Sequence, residues 1–155
     1  MSQFMSIRRR TYIIFATSSL LLGSTIYILF RSKSLLMFRW ISAYGLMSVV
    51  NALRSHAQII RTLLPGWFIY SLPFALWIIS YLFFVRAIWF KSKSASRNSW
   101  FWCIPLISIA AELGQYPRIV PGTFDVFDLL TIGIAAATVF TIAALDTRKP
   151  TKETT

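Results

Sequence analysis

Trp67-Phe-Ile-Tyr-Ser-Leu-Pro-Phe-Ala-Leu-Trp-Ile-Ile-Ser-Tyr-Leu-Phe-Phe-Val-Arg-Ala-Ile-Trp89 is a run of 23 residues with one charge, Arg86. A helix that crosses the hydrocarbon core needs about 20 mainly apolar residues. This run is long enough, and a tryptophan stands at each end, where aromatic belts sit at the two membrane surfaces. Arg86 lies near one end and can extend its head to the interface. Pro73 is expected to kink the helix.

Similar runs flank it. Residues 12–30 are apolar and follow Arg8-Arg9-Arg10. This run exceeds a signal-peptide core and has no small-x-small cleavage site after it, so it reads as a retained anchor. A third span is expected from Trp100 to about Gly114, and a fourth from about Asp125 to Leu145. Residues 35–53 carry Arg39 and Asn51, and their cleanest part, residues 41–50, is short for a span. They read as a re-entrant or interfacial helix. The expected fold is therefore all-α: a polytopic membrane bundle of four transmembrane helices plus that extra helix, with five spans as the alternative. Residues 1–11 form an N-terminal tail, residues 12–145 the helical domain, and residues 146–155 a polar tail expected to be disordered.

The totals agree with this reading. Hydrophobic residues make up 56% of the 155, and only 14% are charged, against about a quarter in soluble domains. The formal charge of +11 would suggest nucleic acid in a soluble protein. Here the cations sit at the ends of apolar runs, as topology signals and contacts for anionic lipid. No basic-aromatic motif for nucleic acid occurs in a polar stretch long enough to fold. The single cysteine, Cys103, lies in an apolar run and has no disulfide or zinc partner in sequence.

Orientation follows from Lys and Arg. With four spans, Arg8, Arg9, Arg10, Lys91, Lys93, Arg97, Arg148, Lys149 and Lys152 share one side. Arg31, Lys33, Arg39, Arg54, Arg61 and Arg118 share the other. The excess places both tails in the cytoplasm.

The chain has five acids, and three fall in Glu112-Leu-Gly-Gln115-Tyr-Pro-Arg118-Ile-Val-Pro121-Gly122-Thr123-Phe-Asp125-Val-Phe-Asp128. Glu112 and Gln115 share a helix face, as do Asp125 and Asp128. Pro117, Pro121 and Gly122 oppose helix between them. Both pairs are thus expected at the mouth of one antiparallel hairpin. Two readings are open for the aspartates: ligands of a site, or an N-cap and a first-turn acid at a helix start. Glu112 lies within an apolar run, where a carboxylate is costly unless paired or wet. It is either half of a structural salt bridge or a site residue. The link bearing Arg54, His56 and Arg61 falls on the same side in either topology, so a basic set is expected to cover or complement the acids. His56 and Arg118 are also readable as plain surface residues. Small residues four apart, Ala110 with Gly114 and Gly133 with Ala137, would let the last two spans approach closely. No metal-ligand spacing, phosphate loop or nucleophile motif occurs, so no cofactor or metal is expected.

At these residues the chain resembles the VanZ-like membrane proteins. That family shows Glu-x-x-Gln ending one helix, a short turn, and Asp-x-x-Asp opening the next. Glu112, Gln115, Asp125 and Asp128 match in type and order. Thr123 stands near the place of the family's arginine, and Gly133 follows without the family's preceding asparagine. The stretches Leu36-Met-Phe-Arg-Trp40 and Leu64-Pro-Gly-Trp67 also look like small bacterial membrane proteins of this kind. The resemblance implies a small bacterial inner-membrane protein of the cell envelope, and the family's namesake is linked to glycopeptide-antibiotic resistance. The expected function is a polar pocket on the extracytoplasmic side, lined by Glu112, Gln115, Asp125, Asp128, Arg54, His56 and Arg118. Its ligand would be amphipathic, such as a lipid-linked or glycopeptide headgroup. The alternatives are an intramembrane enzyme using Glu112 or Asp128 as acid or base, assisted by His56, and an oligomeric pore or transport subunit.

Overall fold

The computed structural model describes residues 2–90 and 94–148. Among these all regular structure is helical, with no strand: α1 Ser2–Phe30, α2 Leu36–Ala43, α3 Met47–Arg61, α4 Gly66–Tyr70, α5 Leu72–Ile88, α6 Ala95–Gln115 and α7 Val126–Arg148. The expected tail of residues 146–155 is helical through Arg148, and the remainder lies outside the described residues. Among the described residues, Arg8–Phe30 is the one helical segment long and apolar enough to cross a membrane by itself. Leu72–Ile88 and Val126–Ile142 are apolar but shorter.

The helix ends follow local chemistry. Residues 35–53 do not form one helix, and the break falls inside the part expected to be continuous. Gly45 has φ +70, and two hydrogen bonds close over it: Gly45 N–H to Ser42 C=O at 3.0 Å and Leu46 N–H to Ile41 C=O at 3.1 Å. This is the Schellman stop, in which a left-handed residue ends a helix and satisfies its orphan carbonyls. The run 67–89 is likewise divided, at Ser71 between α4 and α5. Pro73 has no N–H to offer the carbonyl of Ile69, and its ring crowds that residue. α6 starts at Ala95, earlier than expected, because the hydroxyl of Ser94 accepts the N–H of Ser96 at 3.2 Å and caps the helix.

α5 is the central helix. Tyr12 meets Phe83 and Phe90, Tyr27 meets Trp77, and Arg31 meets Tyr70, so α1 and α5 run antiparallel. Trp102 meets Phe140 near one end of the α6–α7 pair, and Glu112 meets Asp125 near the other. The long helices thus alternate in direction. The main core joins Tyr12, Ala16, Ile78, Leu82, Phe83, Phe101, Ile132, Ala135, Ala136 and Val139. A second cluster of Ile26, Phe30, Ala57 and Ile69 ties α3 and α4 to the end of α1.

α1 and α5 approach closely at Gly23. A Cβ there would stand 2.9 Å from the carbonyl oxygen of Pro73 and 3.1 Å from the side chains of Leu76 and Trp77. The small residues expected to draw α6 and α7 together act differently. Gly133 faces open space, and Ala110 and Ala137 are exposed. Only Gly114 is filled against, by Val120 of the following turn.

Candidate functional site

The alternation of helix directions puts the end of α1, the start of α4, the end of α6 and the start of α7 at one end of the bundle. Two polar clusters form there.

The first is the mouth of the α6–α7 hairpin. Glu112 is on α6 and only 6% exposed. Its Oε1 accepts the backbone N–H of Asp125 at 2.6 Å. Asp125 Oδ1 accepts the N–H of Phe127 at 2.8 Å, which makes Asp125 the N-cap of α7. The carbonyl of Asp125 accepts the N–H of Asp128 at 3.0 Å. An acid three residues after a cap ordinarily reaches back to the cap's own N–H, closing a capping box. Here that N–H is already bound by Glu112 from the neighbouring helix. Asp128 is left with a carboxylate oxygen, Oδ1, that is buried and has no hydrogen-bond partner. It sits in the first turn of α7, where the helix dipole favours a negative charge. Chemically this is a vacant acceptor suited to a hydroxyl, amide or ammonium donor.

The other turn residues shape the mouth. A Cβ on Gly122, whose φ is +145, would lie 2.6–2.8 Å from the side-chain amide of Gln115. Gln115 therefore lies flat on bare backbone, and the Glu112–Gln115 face of α6 closes against residues 122–125. Tyr116 and Phe124 meet edge to face, with centroids 5.5 Å apart. Arg118 has φ +61 and is exposed. Its N–H donates to Gln115 C=O, and Ile119 N–H to Gly114 C=O, both at 3.0 Å. This is a second Schellman stop, with arginine in the left-handed position usually held by glycine.

The second cluster is basic, and among the described residues no hydrogen bond or ion pair joins it to Glu112, Asp125 or Asp128. Arg54 is on α3, which packs on α1 and α2, and is 7% exposed. Its Nη1 donates to Ile28 C=O, and its Nη2 to Arg31 C=O at 2.8 Å. Gln58 Nε2 donates to Leu29 C=O at 3.4 Å. These are the orphan carbonyls of a helix end, where a cation also complements the dipole. Burial, and then the nearby charge of Arg61, push the Arg54 guanidinium below its ordinary pKa, although a guanidinium remains charged in proteins. His56 is exposed, with Nδ1 2.8 Å from Ala52 C=O of its own helix. The expected cover of the acids by Arg54 and His56 is thus replaced by a clamp on the end of α1. The sequence reading overlooked Arg31, whose guanidinium carbon stands 5.4 Å from the centroid of the Tyr27 ring and 5.0 Å from that of Tyr70.

Among the described residues, no three His, Cys, Asp or Glu side chains gather as a metal site. No family model, characterised protein or solved structure matches the chain. What it does must be read from its own residues.

Proposed function

We propose that the chain is a small multi-pass protein of the bacterial inner membrane, with α1, α4–α5, α6 and α7 crossing and α2–α3 lying at the interface. Support comes from an apolar outer surface around a core that also takes in polar groups. Glu112, Arg54, Ser71, Ser80 and Ser108 are buried. Large apolar side chains are exposed along α1, α6 and α7, among them Leu21, Trp100, Ile107, Ile134 and Phe140. Only 22% of the most apolar window of α1 is buried in the bundle. The exposed Thr17, Thr25 and Thr138 turn their hydroxyls back onto carbonyls four residues earlier, at 2.8–2.9 Å. Such internal pairing is what hydrocarbon surroundings demand. α5 and the apolar part of α7 are short, but each is continued by helix, α4 before α5 and the polar end of α7 after Ile142.

The hairpin mouth would then open on the extracytoplasmic side, since the excess of Lys and Arg assigns the termini to the cytoplasm. Its function is to bind the polar head of an amphipathic, lipid-linked or glycopeptide-like ligand, with the head donating to Asp128. The observation that carries this is the buried, unpartnered Oδ1 of Asp128, in the same helix start whose cap N–H is already taken by Glu112. The likeness of Glu112-x-x-Gln115 and Asp125-x-x-Asp128 to the VanZ-like pattern is consistent with an envelope role. Arg54 and His56 are not part of this pocket.

The test is binding of a lipid-linked peptidoglycan precursor to the purified protein in nanodiscs. Asp128→Asn should abolish binding while leaving thermal unfolding unchanged. Equal binding by wild type and variant would refute the assignment.

A further inference from the structure

The basic cluster at the end of α1 holds a second buried polar group without a hydrogen-bond partner. Between residues 31 and 61 the chain carries Arg31, Lys33, Arg39, Arg54 and Arg61 and no acid, and the first acid in the whole sequence is Glu112. These cations have no carboxylate of their own segment to meet. Arg54 is buried on the carbonyls of α1 and fixes the peptide at residue 31 through Nη2. Lys33 Nζ is bound to Asn51 Oδ1 at 2.6 Å. Arg31 is different. Its guanidinium is held over Tyr27 and Tyr70, and its Nε–H is buried without an acceptor. A guanidinium edge offers parallel N–H donors that match phosphate oxygens in pairs.

The α2–α3 pair, which reaches the end of α1 through Arg54 and Gln58, is apolar on its outer face. α3 presents Val50, Arg54, Ala57 and Gln58 inward. The stripe Val49, Leu53 and Ile60 faces outward and is exposed, as is Trp40 of α2. A ligand matched to this region has an anionic phosphodiester head and apolar chains. We propose that Arg31, positioned by Arg54 over Tyr27 and Tyr70, binds the phosphate of an anionic phospholipid lodged against the α2–α3 pair. This inference rests on the membrane reading above, but not on the Asp128 pocket.

The test uses the full chain reconstituted in nanodiscs of phosphatidylcholine with and without phosphatidylglycerol, then released into neutral detergent. Retained lipid is counted by native mass spectrometry. Wild type should retain phosphatidylglycerol in preference to phosphatidylcholine. Arg31→Gln should lower that preference about fivefold, the size of one basic contact with anionic lipid. Arg31→Lys should fall between, because charge remains without the paired donors. Arg39→Gln, which removes an exposed cation of α2, should change it less. Equal losses for Arg31→Gln and Arg39→Gln would mean diffuse charge and overturn the site. Displacement of the lipid by excess inorganic phosphate alone would overturn the lipid assignment in favour of a free-phosphate site. If Arg31→Gln does not fold, Tyr70→Leu removes one supporting ring and should also lower retention; an unchanged preference would contradict the proposal. A chain that stays soluble without detergent refutes the membrane reading itself, whereas a membrane-bound chain without lipid preference refutes only this site.

Discussion

Glu112 on α6 accepts the backbone N–H of Asp125, the residue that caps α7, at 2.6 Å. One helix thereby completes the N-terminus of the next. The carboxylate is buried and the amide is a backbone donor, so the bond also answers the question of how an acid is tolerated in an apolar run. Glu112→Leu leaves that amide without an acceptor, at a cost of about 1–3 kcal/mol. Glu112→Gln keeps an oxygen in place and should cost less. Hydrogen exchange should show the effect first at the amides of residues 125–128, with thermal unfolding in detergent giving the order wild type, Gln, Leu.

Asp125 acts through its cap. Asp125→Asn preserves an acceptor for the N–H of Phe127 and should be near neutral. Asp125→Ala should lose about 1 kcal/mol. If Asp125→Ala abolished ligand binding without loss of stability, Asp125 would be a ligand contact rather than a cap.

Much of this hairpin was legible in the sequence. The spacing of Glu112 with Gln115 identified the face that meets the returning chain, and Pro117, Pro121 and Gly122 marked the turn. What spacing could not reveal is that Glu112 would bind the amide of Asp125 and so leave Asp128 unpartnered, because that depends on the relative height of two helices. The Arg54 expectation failed for a similar reason. Side-of-membrane reasoning places residues at one end of a bundle but not next to one another, and Arg54 found the carbonyls of α1 instead. The stop at Gly45 could have been read from the glycine between two amphipathic segments. Gly23 could not: its neighbour Pro73 is fifty residues away, and nothing local marks the contact.

Gly23 predicts a packing effect. Its Cβ would press on the backbone oxygen of Pro73 at 2.9 Å, which cannot swing aside as a side chain can. Gly23→Val should force α1 from α5 and destabilise the bundle by about 1–3 kcal/mol. Gly133→Ala, at a site with nothing within 4 Å, should be neutral or slightly stabilising. Parallel melts of the two variants in one detergent make the comparison.

Arg118 predicts the opposite sign. A non-glycine residue in the left-handed region carries strain of about 1–2 kcal/mol. Arg118→Gly should therefore raise the melting temperature if the side chain does nothing else for stability. Gly122→Ala, where the new Cβ meets Gln115 and φ is +145, should lower it. Adding Gln115→Ala should recover only the steric part of that loss.

The most direct test of the whole account is sidedness in the membrane. On a Cys103→Ser background, Ser34→Cys, Leu63→Cys and Thr123→Cys report the end that holds α2–α3 and the hairpin mouth, and Ser96→Cys reports the other end. The account predicts that the protein resists carbonate extraction. In intact cells an impermeant thiol reagent should label positions 34, 63 and 123, and should reach position 96 only after the membrane is opened. Release by carbonate, opposite sides for positions 34 and 63, or a shared side for positions 96 and 123 would contradict it.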